Sequence, residues 1–294
     1  MAKYVPDVTT NRWVVIAEGR LARPGDAKTT KEIGADKVCI FCPGSEKIPG
    51  EEVYRVGQGA AYEAGWLVRV IKNKYPITDF HEVIIHSPDD KLDIDKLPLG
   101  QVELILMAFR QRFISNQANG HVLIFNNVGE AAGASINHPH SQLVVVPRQI
   151  NLDALALEPI INPVVDNSHF VVFCPDFSQW PFETWIAPKK KGQFFGEISN
   201  EAITDLAQIL QETLRRLIGH LAGGSHFHPG VPQVTFAEGP AYNFYIHYEK
   251  DWYIRIIPRL IHRAGFELGT GISVNIVDPS DAAAILKEEI KGRA

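Results

Sequence analysis

The chain has 294 residues, of which 45% are apolar and 21% charged, and this composition is that of a globular protein rather than a disordered or fibrous one. At roughly 100 to 200 residues per domain, the length predicts about two domains. The 29 basic and 34 acidic residues give a net charge of -5, so we expect no nucleic-acid partner, because such a partner requires a predominantly basic surface.

The predicted elements are mostly strands. Alternating apolar and polar residues predict strands at 13–16, 66–71, 81–85, 121–126, 141–146, 170–174, 184–187, 242–248 and 253–257. Helical spacing and length occur at 100–116, 199–221 and 280–291. Because the helices are few and follow blocks of strands, the sequence predicts an α+β architecture of antiparallel sheets backed by helices, and not a βαβ fold.

The two halves of the chain repeat one order of elements: a block of strands, a long helix, and a strand pair whose second member ends in proline and arginine. These endings are Val144-Val145-Val146-Pro147-Arg148 and Arg255-Ile256-Ile257-Pro258-Arg259. The repetition predicts a duplication with its boundary near Asn162-Pro163, and therefore domains at 1–162 and 163–294.

The cell compartment is predicted from two features. No run of about 18 apolar residues occurs, which predicts no membrane partner. No apolar stretch of signal-peptide length follows the N-terminal charge, so we expect a cytoplasmic chain. In that reducing compartment the pair Cys39 and Cys42 favours metal binding or redox chemistry over a structural disulfide.

The strongest local motif is His138-Pro139-His140-Ser141-Gln142, which follows a run of small residues. A spacing of two places His138, His140 and Gln142 on one face of an extended segment. Two imidazoles and an amide, beside small residues whose backbone amides can approach a ligand, can both hold and attack a phosphate. The alternative interpretation is a structural histidine pair at a strand edge.

The Cys39-Ile40-Phe41-Cys42 turn is typical of half a tetrahedral zinc site, and a redox pair is the alternative. Four residues from later segments compete to complete the site: His81, His86, Asp90 and His138.

Two further segments allow two interpretations each. Arg20 and Arg23 suit bidentate phosphate recognition, or they belong to a solvated surface. The glycine-bearing stretch 264–271 is either a simple turn or a loop that wraps a sugar or phosphate with backbone amides.

Taken in order along the chain, these segments resemble the galactose-1-phosphate uridylyltransferase family, the transferase branch of the histidine triad superfamily. The resemblance extends over nearly the whole chain and also rests on Trp66-Leu67-Val68-Arg69-Val70, Asn73-Lys74-Tyr75-Pro76, His81-Glu82-Val83 and Pro181-Phe182-Glu183-Thr184-Trp185. It implies two related histidine-triad-like halves, each an antiparallel sheet backed by helices.

The resemblance implies a double displacement through a covalent nucleotidyl-histidine. His140 matches the nucleophile that attacks the α-phosphorus of a nucleotide sugar, and Gln142 matches the amide donor to the nonbridging phosphate oxygens. The substrate contacts that it implies are Arg20, Arg23, Asn73, Asn127, Gly133, Ala134, Ser135, Gln142, Phe266 and Glu267.

The resemblance also implies one structural zinc ion, held by Cys39, Cys42 and His138. The family's fourth ligand is a histidine where this chain has Asp90, so we choose Asp90, with His86 as the alternative. Where the family often has a His-Trp-His segment near a second metal, this chain has Asp251-Trp252-Tyr253. We therefore predict no second metal and a single active half, residues 1–162, with residues 163–294 completing the sugar site.

The function implied first is UDP-glucose:hexose-1-phosphate uridylyltransferase, with galactose 1-phosphate as acceptor and with a homodimer as the assembly. A nucleoside-diphosphate-sugar phosphorylase similar to ADP-glucose phosphorylase, in which inorganic phosphate discharges the intermediate, is the alternative. Lys74 replaces an acidic residue near the base and ribose, and this leaves uracil and adenine both open. A noncatalytic nucleotide-binding protein is a third hypothesis.

Overall fold

The computed structural model describes residues 2–7, 9, 12–22, 39–152, 155, 157–222, 235–237 and 239–288. These residues form two compact units. Unit 1 comprises Met1–Asp93, Gly100–Phe125 and Ser135–Ala154, and unit 2 comprises Ile94–Leu99, Asn126–Ala134 and Leu155–Ala294. The domain division at residue 162 remains a prediction.

Unit 1 contains most of the strands of the N-terminal half and one long helix. The strands are β1 (Lys3–Asp7), β2 (Arg12–Ile16), β3 (Glu52–Gly57), β4 (Trp66–Lys72), β5 (Phe80–Ile85), β6 (His121–Val128) and β7 (His140–Val146), and helix α1 (Leu99–Asn116) precedes β6. Strands β1 and β2 form a separate antiparallel hairpin. The others lie in the order β3-β4-β5-β7-β6.

Unit 2 contains the elements of the C-terminal half. They are β8 (Pro163–Asp166), β9 (Phe170–Phe173), β10 (Thr184–Pro188), α2 (Asn200–Leu221), β11 (Tyr242–Ile246), β12 (Ile254–Pro258), α3 (Gly265–Thr270) and α4 (Pro279–Lys287). The strands lie in the order β8-β9-β10-β12-β11. Both units thus consist of three consecutive strands, a helix, and a strand pair whose last strand lies beside the third, which is the repeated order that the sequence predicted.

Helix α1 covers one face of the unit 1 sheet. Its apolar side chains recur at helical spacing and are fully buried, as at Val102, Ile105 and Phe109. Arg112 of α1 donates two hydrogen bonds to the carboxylate of Glu82 on β5, at 2.9 and 2.6 Å. The helix therefore occupies this face, and side chains that alternate to the other face are left for chemistry.

Helix α2 is placed by its cap and by polar contacts to the turn before β9. The Ser199 hydroxyl accepts a hydrogen bond from the backbone N–H of Ala202 at 3.1 Å and so caps the N-terminus of the helix. Asp205 on the same helix contacts His169 Nδ1 at 2.6 Å. Its amphipathic spacing and this anchoring together explain why a 22-residue helix forms here.

The α+β prediction is confirmed, and the differences from it lie in short elements. Strands β1, β3 and β8 were not predicted. Segment 264–271 was expected to be a turn or loop, but it contains the short helix α3, in which the Glu267 carboxylate accepts the Ala264 N–H at 3.0 Å. In the described part of the chain, no helix combines the length and apolar character needed to cross a bilayer.

Candidate active site

Strands β5 and β7 place the predicted catalytic residues on the sheet face opposite helix α1. In their antiparallel register, Ile85 pairs with His140 and Val83 pairs with Gln142. Since side chains alternate along a strand, His140 and Gln142 share a face while Ser141 between them points to the other. The motif is therefore rigidly presented, because β7 is hydrogen-bonded within the sheet.

The ring of His140 is fixed in one tautomer by a hydrogen bond to the backbone. Its Nδ1 lies 2.8 Å from the carbonyl oxygen of His138, so Nδ1 carries the hydrogen and Nε2 carries the lone pair. Burial lowers the pKa of His140 to about 4, which keeps the ring neutral at physiological pH. Phe41 packs edge-on against this ring, with the centroids 5.4 Å apart. A neutral and oriented imidazole is the form that acts as a nucleophile.

Cys39, Cys42 and His138 form a group that can hold a metal ion. Their ligand atoms all lie within 4.8 Å of one another, and Nδ1 of His138 lies 3.4 and 3.5 Å from the two sulfurs. Tetrahedral zinc with usual Zn–S and Zn–N lengths requires about 3.5 Å between such donors. The donor set and spacing therefore fit zinc.

The surroundings of this group are also those of a metal site. Nε2 of His138 donates to the carbonyl of Ser87 at 2.8 Å, which directs the Nδ1 lone pair at the cysteines. Burial and the neighbouring Cys39 raise the pKa of the Cys42 thiol to about 12. The Cys42 sulfur would therefore be a thiolate at neutral pH only beside a cation. Since Phe41 lies between the two cysteines, the same loop braces His140.

The fourth ligand is less clearly defined by the geometry. The Asp90 carboxylate is close enough to Cys42 to raise the pKa of that thiol, but it is not part of the three-residue group. His86 lies on the opposite face, where its Nε2 is 2.8 Å from Ser141 Oγ and its Nδ1 is 3.4 Å from Asp93 Oδ1. Asp90 thus remains the proposed fourth ligand, and the ring of His86 is directed elsewhere.

Gln142 is oriented by His81, a residue for which the sequence analysis predicted no catalytic role. The backbone N–H of Ile77 donates to Nδ1 of His81 at 2.9 Å, so the ring hydrogen is on Nε2. This nitrogen lies 2.9 Å from Oε1 of Gln142 and donates to it. The amide NH2 of Gln142 is consequently left for a substrate oxygen.

Two predicted nucleotide contacts, Asn73 and Arg20, lie close to this pair. Nδ2 of Asn73 lies 3.1 Å from Nε2 of His81, and Oδ1 of Asn73 accepts the N–H of Tyr75 at 2.8 Å. Arg20 donates to the carbonyl of Tyr75 at 3.0 Å. Arg20 and Asn73 therefore share Tyr75 as a hydrogen-bond partner, and Asn73 lies beside His81, whereas Arg23 lies outside the described residues.

The remaining predicted contacts occupy other positions. Ser135 belongs to unit 1, and the rest belong to unit 2: Asn127, Gly133, Ala134, Phe266 and Glu267. The N–H groups of Gly133 and Ala134 are already bonded within their turn, to the carbonyls of Glu130 and Gly129 at 2.8 and 3.2 Å.

Two of the predicted substrate contacts in unit 2 already have hydrogen-bond partners within the protein. Asn127 Oδ1 accepts from Asn243 at 2.8 Å. Glu267 caps α3, so its carboxylate is already engaged, while the side chain of Phe266 is 55% exposed. Their roles as substrate contacts remain predictions.

In the described part of unit 2, an aromatic pair occupies the positions equivalent to His81 and Gln142. Trp185 of β10 pairs with Arg255 of β12 in the same way that His81 of β5 pairs with Val144 of β7. Trp185 is therefore equivalent to His81. Tyr253, two residues before Arg255, is equivalent to Gln142, two residues before Val144. Their rings stack with centroids 4.0 Å apart. An aromatic stack thus replaces a hydrogen-bonded imidazole and amide.

The fold and the His-Pro-His-Ser-Gln strand are those of the histidine triad superfamily. A family model described as the galactose-1-phosphate uridyl transferase N-terminal domain matches residues 80–146, which contain β5, α1, β6 and β7. The chain is 30% identical over 334 residues to the ADP-glucose phosphorylase of Arabidopsis thaliana, covering 96% of this chain and 91% of that protein. It therefore belongs to the galactose-1-phosphate uridylyltransferase family.

Two more comparisons support this assignment. The galactose-1-phosphate uridylyltransferase of Thermotoga maritima is 24% identical over 312 residues, covering 95% of this chain and 96% of that enzyme. The crystal structure of the Arabidopsis ADP-glucose phosphorylase with bound ADP-glucose superimposes with a TM-score of 0.70 at 26% identity, covering 98% of this chain and 99% of that one.

Proposed function

We propose that this protein transfers a nucleoside monophosphate group from a nucleotide sugar to a phosphate-bearing acceptor through a covalent intermediate on His140. The orientation of His140, whose Nδ1–H is bonded to the His138 carbonyl so that the lone pair is on Nε2, is the observation that carries this proposal. Nε2 forms a bond to the α-phosphorus as the bond from that phosphorus to the bridging oxygen breaks, and a sugar 1-phosphate leaves.

The second half of the reaction reverses the first. A phosphate oxygen of the acceptor attacks the same phosphorus, the N–P bond breaks, and the electron pair returns to Nε2 of His140. Gln142, held by His81, donates its amide hydrogens to the nonbridging oxygens, where negative charge builds up in both transition states. A neutral donor stabilises that charge without adding a charge that would trap the intermediate.

For substrates we propose UDP-glucose as donor and a hexose 1-phosphate, galactose 1-phosphate, as acceptor. The match of residues 80–146 to the uridyl transferase model and the similarity to the Thermotoga enzyme support this choice. A second candidate is ADP-glucose with inorganic phosphate as acceptor. It is supported by the 30% identity to ADP-glucose phosphorylase over nearly the whole chain.

We propose zinc as the metal of the Cys39, Cys42 and His138 group, with a structural role. A bound zinc ion would tie the cysteine loop to the strand that carries His140, and no step of the transfer requires it. We also propose a homodimer. The strongly exposed apolar side chains of Phe266, Leu268 and Ile272, at 55%, 75% and 61%, support it because such surface is typical of an interface. The cytoplasmic location stays a prediction.

The test is the mass of the intact protein after brief incubation with UDP-glucose or ADP-glucose, with His140→Ala as the matched control. We expect a uridylyl adduct on the wild type alone, removed by galactose 1-phosphate. An adenylyl adduct removed by phosphate would establish the second candidate. No adduct with either donor would contradict covalent catalysis and favour a noncatalytic nucleotide-binding protein.

A further inference from the structure

Trp180 in unit 2 has two guanidinium groups close to its ring. The Cζ atom of Arg259 lies 4.7 Å from the ring centroid, and that of Arg263 lies 5.0 Å from it. The ring is buried, and its loop is fixed by Asn275, whose side-chain amide donates to the carbonyls of Ser178 and Trp180 at 3.0 and 3.2 Å. One well-anchored indole thus gathers two positive charges.

No carboxylate of the described structure neutralises these two arginines. Glu183 is the nearby acid in sequence, but it accepts from Nε and one terminal nitrogen of Arg255 at 2.7 and 2.9 Å and from the backbone of Gln179 at 2.9 Å. None of the ion pairs among the described residues includes Arg259 or Arg263. The cluster therefore carries two uncompensated charges.

The hydrogen bonds of the pair are also incomplete. Arg263 donates only to neutral oxygens, Gln179 Oε1 at 3.0 Å and Ser273 Oγ at 3.2 Å. The Nε of Arg259 is buried without an acceptor among the described residues. Burial and the charge of Arg263 lower the pKa of Arg259. Holding two like charges together with donors unused costs free energy, and a bound anion would offset that cost.

We propose that Trp180, Arg259 and Arg263 form a binding site for a phosphoryl group, carried by inorganic phosphate or by a phosphate monoester. Two guanidinium groups match the charge of a phosphate, which is about -1.5 to -2 near neutral pH, whereas a carboxylate would neutralise only one of them. Their planar forks supply paired donors for phosphate oxygens. The site lies wholly within unit 2 and does not depend on His140.

Equilibrium dialysis of the full chain tests the proposal, with inorganic phosphate and glucose 1-phosphate as separate probes. We expect Arg259→Gln/Arg263→Gln to bind at least about tenfold more weakly than the wild type, because each lost charged hydrogen bond is worth about tenfold. Arg216→Gln is the matched control, since Arg216 pairs with Glu212 at 2.7 Å, and it should bind as the wild type does. If both probes bind, free phosphate is sufficient as the ligand. If only glucose 1-phosphate binds, the ligand is a sugar phosphate.

A second comparison separates this site from the proposed active site. His140→Ala should retain the phosphate binding that the double arginine variant loses. Loss of that phosphate in His140→Ala, unchanged binding in the arginine variant, or no binding of either probe by the wild type would each overturn the proposal. If the double variant melts early, the single Arg263→Gln variant provides the same test, because that side chain is exposed.

Discussion

Nε2 of His81 on strand β5 donates its hydrogen to Oε1 of Gln142 on strand β7 across 2.9 Å. The two residues are diagonal neighbours, since Val83 is the residue directly opposite Gln142. With the ring hydrogen fixed on Nε2 by the Ile77 N–H at 2.9 Å, the amide of Gln142 can take only one orientation. That orientation presents NH2 rather than oxygen to an anionic substrate.

Removing the amide should slow the chemistry more than it weakens binding. We expect Gln142→Ala to lower kcat by about a hundredfold, the usual cost of deleting one donor to a developing oxyanion, with a much smaller change in KM. Steady-state kinetics with the preferred nucleotide sugar checks this. A large rise in KM at unchanged kcat would contradict it, because Gln142 would then serve ground-state binding only.

His81 should act as a positioning residue, through Gln142. We expect His81→Leu to lower kcat by about five- to tenfold, since one neutral hydrogen bond of about 1 kcal/mol is lost. His81→Gln, whose amide NH2 can also donate to Gln142, should restore part of the activity. In the Gln142→Ala background, His81→Leu should have no further effect on kcat. A purely structural role for His81 would give additive losses instead.

The sequence predicted that His140 and Gln142 share one face of a strand, but it did not predict the contact with His81 that orients Gln142. Alternation within one motif places His140 and Gln142 together, because the period of a strand is local information. The role of His81 depends on the register between β5 and β7, because that register brings His81 to Gln142, which is 61 positions away in the sequence. No pattern in a single sequence determines that register.

Strand β3 was missed for a similar physical reason. Its alternation is broken by Glu52 and Arg55, which are charged yet little exposed, with 3% and 12% of their side-chain surfaces accessible. Their burial is possible because Arg69 on β4 pairs with Glu52, a partner that only the folded sheet supplies. In unit 2, by contrast, the replacement of the family's His-Trp-His segment by Asp251-Trp252-Tyr253 was visible in the sequence, because substitutions at motif positions are local, and the lack of a second metal stays a prediction.

Asp90 should complete the zinc site. We expect Asp90→Ala to weaken zinc binding by about a hundredfold, because even groups that only support a ligand contribute ten- to a hundredfold. Asp90→His should retain tight binding, since imidazole nitrogen is an equally good zinc donor. Competition with a chromophoric chelator measures the affinities.

The neighbouring Asp89 provides the control for that experiment. Its Oδ1 accepts the N–H groups of Lys91 and Leu92 at 2.7 and 2.9 Å, and Asp89→Asn retains this acceptor while removing the charge. Asp89→Asn should bind zinc as the wild type does. Wild-type affinity in Asp90→Ala would exclude Asp90 as the fourth ligand.

Zinc removal should lower the stability of the fold. At free zinc a thousand times its Kd, binding to the folded state alone contributes about 4 kcal/mol, so chelation should lower Tm markedly. The same chelator should leave the Tm of Cys39→Ser almost unchanged, because that variant has already lost a thiolate ligand. Differential scanning calorimetry with metal analysis checks both. An unchanged Tm and full activity in metal-free wild type would contradict a structural metal.

Arg69 should contribute much more to stability than Lys72, three residues further along the same strand. The Arg69 side chain is fully buried and its Nε lies 2.6 Å from Glu52, whereas Lys72 and Glu51 form a pair whose side chains are 59% and 58% exposed. Arg69→Met leaves Glu52 buried with Arg55 as its remaining partner, so we expect a loss of about 3 kcal/mol in the free energy of unfolding. Lys72→Met should cost less than about 1 kcal/mol.

The pH dependence of the stability difference between wild type and Arg69→Met identifies its cause. Burial raises the pKa of Glu52, but hydrogen bonds from Arg55 and Arg69 outweigh it and hold the pKa below its usual value. A carboxyl with a depressed pKa contributes stability above its unfolded pKa of about 4.3 and loses it as the pH falls through the folded value. Denaturant unfolding at a series of pH values should therefore show the gap between wild type and Arg69→Met narrowing below about pH 4. A gap that stays constant into acid would attribute the loss to packing of the arginine stem instead of to its charge.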